Sequence, residues 1–364
     1  MTSTDQEAPL YNPIGALTFS AYVLAALFLT IRILYSLFLS YQKIIRDEAP
    51  KRTVNLEKRL QIFSALSILS FSTLSYHILS YLIISYQSWA GENTVLFSQQ
   101  ILGDRSLTGS EDQRGRLQVW QWLTSSALFQ DFAVAICGNS AGFWWTQQAL
   151  LVTMAWTVFM TFEGLLKCSS TRISLSMLNI SGRKREIPHL WAYAFISQIL
   201  PISFAQNLFL IAMLLKPVAN PNQKIWTPTP IIQLLPLVAY YVFVLAVPFV
   251  SGTEAFVGIS IVIRLLLSWP FLLPGIVPEG GGQSYLTPRK ASWIDAGPFQ
   301  FIGICSALLW LLQTIMTFRD HGFHVGRILG AINDSSAVSA LGYDYILSLI
   351  SIGVWILNVG SDIT

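Results

Sequence analysis

Two carboxylates set among tryptophans and amides are the residues of this chain best suited to chemistry. Asp131 follows the half-polar run Trp120-Gln121-Trp122, and Glu163 closes an apolar stretch that begins Gly142-Phe143-Trp144-Trp145-Thr146-Gln147-Gln148. Ionisable groups at membrane depth are costly and are therefore functional candidates. At 100° per residue, Trp145, Gln148, Val152, Trp156, Phe159 and Glu163 fall within about 60° of one another on a helix. That stripe is about 27 Å long at 1.5 Å per residue, so Trp145 and Glu163 lie near opposite surfaces of a bilayer. At most one of the two acids is then the primary one. An outer group gathers Asp131, Trp144, Trp145 and Gln148; an inner group gathers Trp156, Phe159 and Glu163, nearer His189. Glu254 is a third candidate acid. Simpler readings stand beside these: Glu163 pairing with Lys167 at i+4 near an interface, Asp131 as a wet interfacial acid, and the tryptophans as an aromatic belt.

The elements that position these groups are membrane spans. The chain is 53% hydrophobic and 11% charged with mean hydropathy +0.54, against about 25% charged in a soluble domain. A crossing helix needs about 20 apolar residues. The hydropathy pattern predicts an all-α, single-domain membrane bundle of about eight spans, with seven possible. They are Ile14–Ser40, Ile62–Tyr86, Gly142–Leu166, Leu190–Leu215 (with Pro201 inside), Ile231–Val250, Ala255–Ile276, Phe299–Thr317 and a short Tyr345–Val359. The segment Trp120–Cys137 is too polar to cross and reads as one interfacial or re-entrant helix. Residues 1–12 read as a polar tail preceding a signal-anchor span. Residues 88–118 and 277–298, punctuated by Gly and Pro, read as non-cytoplasmic loops.

Basic residues orient the spans. With the N-terminus outside, the inner loops 41–60, 167–188 and 319–343 hold 13 Lys and Arg and the outer loops hold 6. The positive-inside rule then places both termini on the non-cytoplasmic side. Cys137, Cys168 and Cys305 are scattered, which disfavours a disulfide framework or zinc site; Cys168, beside a basic loop, is a candidate for palmitoylation.

Several reaction classes lose support. There is no aspartate-rich run for magnesium-assisted diphosphate loss, no glycine-rich nucleotide loop and no GxSxG. His321 and His324 have only Asp320 nearby and read as a solvated loop. Gln198 and Gln206 share one broad face of the fourth span and fit either substrate binding or helix-to-helix bonding. Arg264 needs a partner, with Glu254 and Asp295 as candidates; Arg32 needs one too, and His77 reads as an interior histidine. Acids among aromatics in a lipid-facing site suit cyclisation of a prenyl chain. A carboxylic acid kept neutral by burial protonates an epoxide or alkene, aromatic faces steady the cation, and excluded water cannot quench it. That chemistry asks for no metal or cofactor.

The stretches from Gly142 to Gly164, with WW-x-QQ and FEG, and from Leu190 to Leu215, with SFAQN, resemble fungal integral-membrane terpene cyclases of meroterpenoid pathways, of the ascofuranone and ascochlorin type. The resemblance covers the middle third of the chain. It implies acid-initiated cyclisation of an epoxidised farnesyl chain on an aromatic core, in the endoplasmic reticulum membrane, with an upstream epoxidase as neighbour. It carries over no catalytic set. A transporter or sensor, and a non-catalytic pathway scaffold, are the rival readings.

Overall fold

The computed structural model describes residues 13–47, 50–103, 111–125, 127–161, 187, 189–215, 230–253, 255–272 and 293–360. All of their regular structure is helical. Four helices among them are long and apolar enough to cross a membrane: Gly15–Arg46, Asn55–Gly91, Phe301–Asp320 and Ser336–Asn358. Shorter apolar helices complete the bundle.

Helix α1 (Pro13–Asp47) and α2 (Pro50–Gly103) both pack on the segment 202–215. Leu24, Leu27, Phe28, Ile31 and Leu34 leave an uncovered apolar face on α1, which fits an acyl-chain environment. The expected loop at 88–118 is in large part helical: α2 continues to Gly103 and α3 (Glu111–Ser125) follows. The expected single helix at 120–137 is two, because α3 ends at Ser125 and α4 (Leu128–Cys137) starts afresh.

Helix α5 (Ser140–Met160) is the axis of the bundle. The Asn139 side chain caps it by accepting from the Gly142 amide at 2.5 Å. Its Thr and Gln residues make it more polar than the four long spans, and twelve of its residues are buried. Neighbouring helices rather than lipid surround it, so its polar groups meet protein. Helix α8 (Pro230–Val250) and α10 (Trp293–Asp320) pack beside it, and α9 (Ala255–Ser268, prolonged by a 3-10 turn Trp269–Phe271) packs on α8. The last helices are α11 (Val325–Gly330) and α12 (Ser336–Gly360). Helix α12 begins nine residues before the expected eighth span and has 25 residues.

The expected fourth span does not run straight. Pro201 offers no amide hydrogen and disfavours helical backbone before it, and Leu200 is extended at φ −104°, ψ 176°. Helix α6 (Leu190–Ile199) therefore stops, and α7 (Ile202–Leu215) doubles back along it. In one continuous helix Tyr193 and Phe209 would stand about 24 Å apart; their ring centroids are 5.6 Å apart. Thirteen of the fourteen residues of α7 are buried, so this half of the hairpin is the core itself.

The turn of the hairpin lies deep in the bundle, and its severed backbone bonds are replaced from three helices. The carbonyl of Gln198 accepts from Arg264 Nη1 on α9, and that of Ile199 from the Tyr22 hydroxyl on α1. The Ile202 and Ser203 amides donate to Asp344 on α12 at 2.8 and 2.9 Å, and Ser203 Oγ donates to the same carboxylate at 2.5 Å. A cation thus meets the negative end of α6 and an anion the positive end of α7.

The hairpin also sorts the ends of the bundle. Arg32 bonds His189 at 3.4 Å at the base, where the hairpin opens. At the opposite end, the cap, Ser140 Oγ meets His321 Nε2 at 3.0 Å and Ser80 meets Ser336 at 3.1 Å. The residues 319–343 accordingly sit at the cap, away from the α1–α2 connection with which charge counting grouped them. The helices flanking residues 273–292 both end at the base: Phe271 joins the cluster of α6 and α7, and α10 runs from there to His321.

Asp344→Ala leaves two buried amides unpaired, at about 1–3 kcal/mol each. Its unfolding midpoint in detergent is expected to fall well below that of Asp344→Asn, which keeps an acceptor oxygen. Equal midpoints for the two would show that the carboxylate does not hold the turn.

Candidate functional site

Asp131 stands in the first turn of α4, in a setting different from the expected one. Tyr81 of α2 is close enough to feel its charge. The Tyr81 hydroxyl donates to the Leu128 carbonyl at 3.2 Å and its ring meets Phe132 edge-on, centroids 5.2 Å apart. Phe129 packs on Tyr22 at 6.3 Å, the same tyrosine that reaches the hairpin turn. Gln130 Nε2 donates to the Gly252 carbonyl at 2.7 Å, fastening α4 to the α8–α9 connection. Asp131 is exposed on one side, and on the other the surrounding protein desolvates its carboxyl and raises its proton affinity above the ordinary aspartate value. Asp131 thus neighbours Tyr81, while the Phe129–Tyr22 pair stands on another face of α4.

The expected tryptophan partners point elsewhere. Trp144 Nε1 donates to Thr314 Oγ1 at 2.9 Å, tying α5 to α10. Trp145 Nε1 donates to the Ile328 carbonyl at 2.9 Å, and its ring lies against Tyr345. Both rings join elements of the cap. Gln148 is 2% exposed and its Nε2 has no partner among the described residues.

The inner group is a packed aromatic stack. Trp156 and Phe159 stack at 5.0 Å, and Phe209 closes on Trp156 edge-on at 5.4 Å. These rings fill one another's space at the base half of the hairpin. Glu163, their expected acid, lies outside the described residues, as do Glu254 and Cys168. Gln198 and Gln206 do not share a helix: the turn at Pro201 lies between them. The Gln198 backbone holds Arg264, whereas Gln206 accepts from Ser348 Oγ of α12 at 2.6 Å.

The charged residues within spans have specific partners. Arg264 bonds a backbone carbonyl at the end of α6. Arg32 bonds His189 and lies over the Trp191 ring at 5.8 Å, a cation–π contact. His77 stacks on Tyr343 at 5.1 Å and 10°.

Sequence reasoning passed over Asp344 because it stood one residue outside the expected eighth span. The signal was there in part: Asp344, Ser348 and Ser351 recur at i, i+4 and i+7 and form one polar stripe in an apolar run. Asp344 is 9% exposed and the two serines 0%. Three donors saturate the Asp344 carboxylate, which suits it to clamping the turn more than to giving up a proton.

Comparison with protein-family models, with curated proteins and with solved structures finds no match to this chain. The site is therefore read from its own chemistry.

A carboxyl whose pKa is raised on folding favours the native state most when protonated; that stabilisation is lost as pH rises through the folded pKa. Acidifying from neutral pH is expected to raise the unfolding midpoint of the wild type by more than that of Asp131→Asn. Parallel midpoint-versus-pH curves for the two proteins would show that Asp131 is not desolvated.

Proposed function

We propose that the chain is an integral-membrane terpene cyclase that closes rings on an epoxidised farnesyl chain borne by a meroterpenoid intermediate. The observation that carries this reading is Asp131: a carboxyl with raised proton affinity, one open side, and beside it Tyr81, whose ring meets Phe132 edge-on. In this reading the protonated carboxyl donates to the epoxide oxygen, the C–O bond breaks towards a hydroxyl, and the neighbouring alkene pair forms the new C–C bond. Ring faces attract the cation as it moves. Loss of a proton from an adjacent carbon ends the sequence. Prenyl chains partition into bilayer at about 0.8 kcal/mol per CH₂, so the substrate arrives laterally, through the open side of Asp131. The sequence resemblance to fungal meroterpenoid cyclases supports the same chemistry, an endoplasmic reticulum membrane and an epoxidase that supplies the substrate.

General acid catalysis contributes about 10²–10⁴-fold, and Asp131→Asn is expected to lose that factor when microsomes receive an epoxyfarnesyl phenol. Tyr81→Phe, which keeps the ring, is expected to retain most turnover. Unchanged substrate across a panel of epoxides with the wild type would sink the cyclase reading. One observation favours a transporter: a buried hairpin with half-helix ends at its turn is a device of ion-coupled carriers. Uptake of a solute by vesicles bearing the chain, with no cyclisation, would decide for it.

The reading includes a topology of seven traversing helices, α1, α2, α5, α8, α9 with its 3-10 turn, α10 and α12, with the α6–α7 hairpin entering and leaving at the base. Counted this way, the connections at the base carry fifteen Lys and Arg, including Lys216, Lys224, Arg289 and Lys290, and those at the cap carry five, among them Arg319 and Arg327. This is a stronger bias than the eight-span count and makes the base cytoplasmic. The N-terminus stays non-cytoplasmic, the C-terminus becomes cytoplasmic, and the 277–298 segment moves to the cytoplasmic side. An N-glycosylation acceptor inserted at residues 104–110 is expected to be glycosylated and one at 279–283 to remain bare. The reverse pattern would overturn the topology.

A further inference from the structure

Four amide side chains in the middle of the bundle each keep one polar atom without a partner among the described residues: Gln147 Oε1, Gln148 Nε2, Gln206 Nε2 and Asn207 Oδ1. Gln147 and Gln148 are 2% exposed, Gln206 and Asn207 0%. An unpaired buried polar atom costs about 1–3 kcal/mol, and native interiors hold few of them. A cluster of such atoms points to a ligand group that pairs with them.

Gln206 meets α12 at Ser348, Asn207 follows it on α7, and Gln148 stands at a similar level on α5. Ser348 holds Gln206 at 2.6 Å; whichever way this amide is turned, one end remains free. Asn207 Nδ2 donates to the Ser203 carbonyl at 2.8 Å, so its free atom is an acceptor. Ser203 in turn bonds Asp344, one turn before Ser348 on α12. Gln148 lies one helical turn beyond Trp145, whose ring packs against Tyr345. Helix α5 thus brings its amide to the same level from the other side.

The arrangement offers amide hydrogens and an amide oxygen together, with the Asp344 carboxylate one turn away. An anion would be set against the acceptor lone pairs of Asn207 Oδ1. A cation accepts nothing from amide hydrogens. An oxygen bearing one proton fits both halves, since it accepts from a glutamine and donates to Asn207 Oδ1. We propose that this polar layer binds the hydroxyl of a neutral phenol or alcohol, whose apolar remainder extends along the bundle towards Asp131. The inference rests on the cyclase reading in taking that remainder to be a prenyl chain. The spacing agrees: Ser336 lies at the level of Ser80, next to Tyr81 and so to Asp131, and Ser348 is twelve residues deeper, about 18 Å at 1.5 Å per residue. That offset is comparable with an extended farnesyl chain, head in the amide layer and far end at the acid.

The test is equilibrium binding of a farnesyl phenol without an epoxide, and of its O-methyl ether, to the purified full chain in lipid nanodiscs. The ether accepts a hydrogen bond but donates none. Wild type is expected to bind the phenol at least ~10-fold more tightly than the ether, as loss of one good hydrogen bond in a buried site predicts. Asn207→Leu, which removes the acceptor, is expected to weaken the phenol to the level of the ether while leaving the ether unchanged, and Gln206→Met, which removes a donor, to weaken both ligands alike. Gln148→Leu, a donor on another helix, is expected to weaken both ligands alike and replaces Gln206→Met if that variant does not fold. Equal affinity of wild type for phenol and ether, or wild-type phenol binding by the variants, would overturn the proposal and leave the amides with trapped water. Incubation with the epoxide-bearing phenol separates the two readings. Tight, hydroxyl-dependent binding without ring closure upholds the site and removes the cyclase reading. Ring closure with no preference for phenol over ether overturns the site alone.

Discussion

The bundle depends on how a helix broken at Pro201 is made whole again. A backbone that stops hydrogen-bonding to itself inside an apolar interior exposes donors and acceptors with no water to take them. Here each severed end meets a group of opposite polarity. Arg264 and the Tyr22 hydroxyl take the carbonyls at the end of α6, and Asp344 takes the amides at the start of α7. Two side chains that would be expensive to bury alone thereby meet helix ends, the guanidinium donating to carbonyls and the carboxyl oxygens accepting from amides. Helices α1, α9 and α12 are each pinned to one point by this exchange.

That point sets the geometry of everything around it. With the turn pinned, α7 lies wholly inside, and Gln206 and Asn207 are carried into the core beside Ser348. Tyr22, fixed by the turn, presents its ring to Phe129 and so locates α4. Asp131 reaches its aromatic surroundings through α4 and α2 and not through the tryptophans of α5. Those tryptophans serve the cap, where Trp144 and Trp145 bind α10 and the segment before α12 through their indole hydrogens. Close packing there is strict: a Cβ on Gly342 would stand 2.6 Å from Ile332 Cγ1, so only glycine lets α12 approach this part of the cap.

The hairpin also alters the electrostatics of the whole chain. If the segment 190–215 crossed the bilayer once, every later connection would change sides, and the basic residues would be divided less sharply. Returning it to the base gathers the basic connections at one end. A local backbone break at one proline thus propagates into the orientation of everything after it.

Composition alone determined that the chain is helical and belongs in a membrane, because 11% charged residues cannot cover a soluble fold of this size. Hydropathy located most of the apolar helices, and the chemistry of residue types singled out Asp131 as an acid near aromatic rings. Sequence could not show that Leu190–Leu215 folds back, since a proline in an apolar run looks the same whether it kinks a helix or ends it. Nor could it show the value of Asp344, whose role exists only where α12 meets the start of α7, about 140 residues away in the chain. Helical periodicity predicts which residues share a face, but not which neighbour that face will meet. For that reason the tryptophans, the amides and the two charged clamps took their partners from tertiary packing alone.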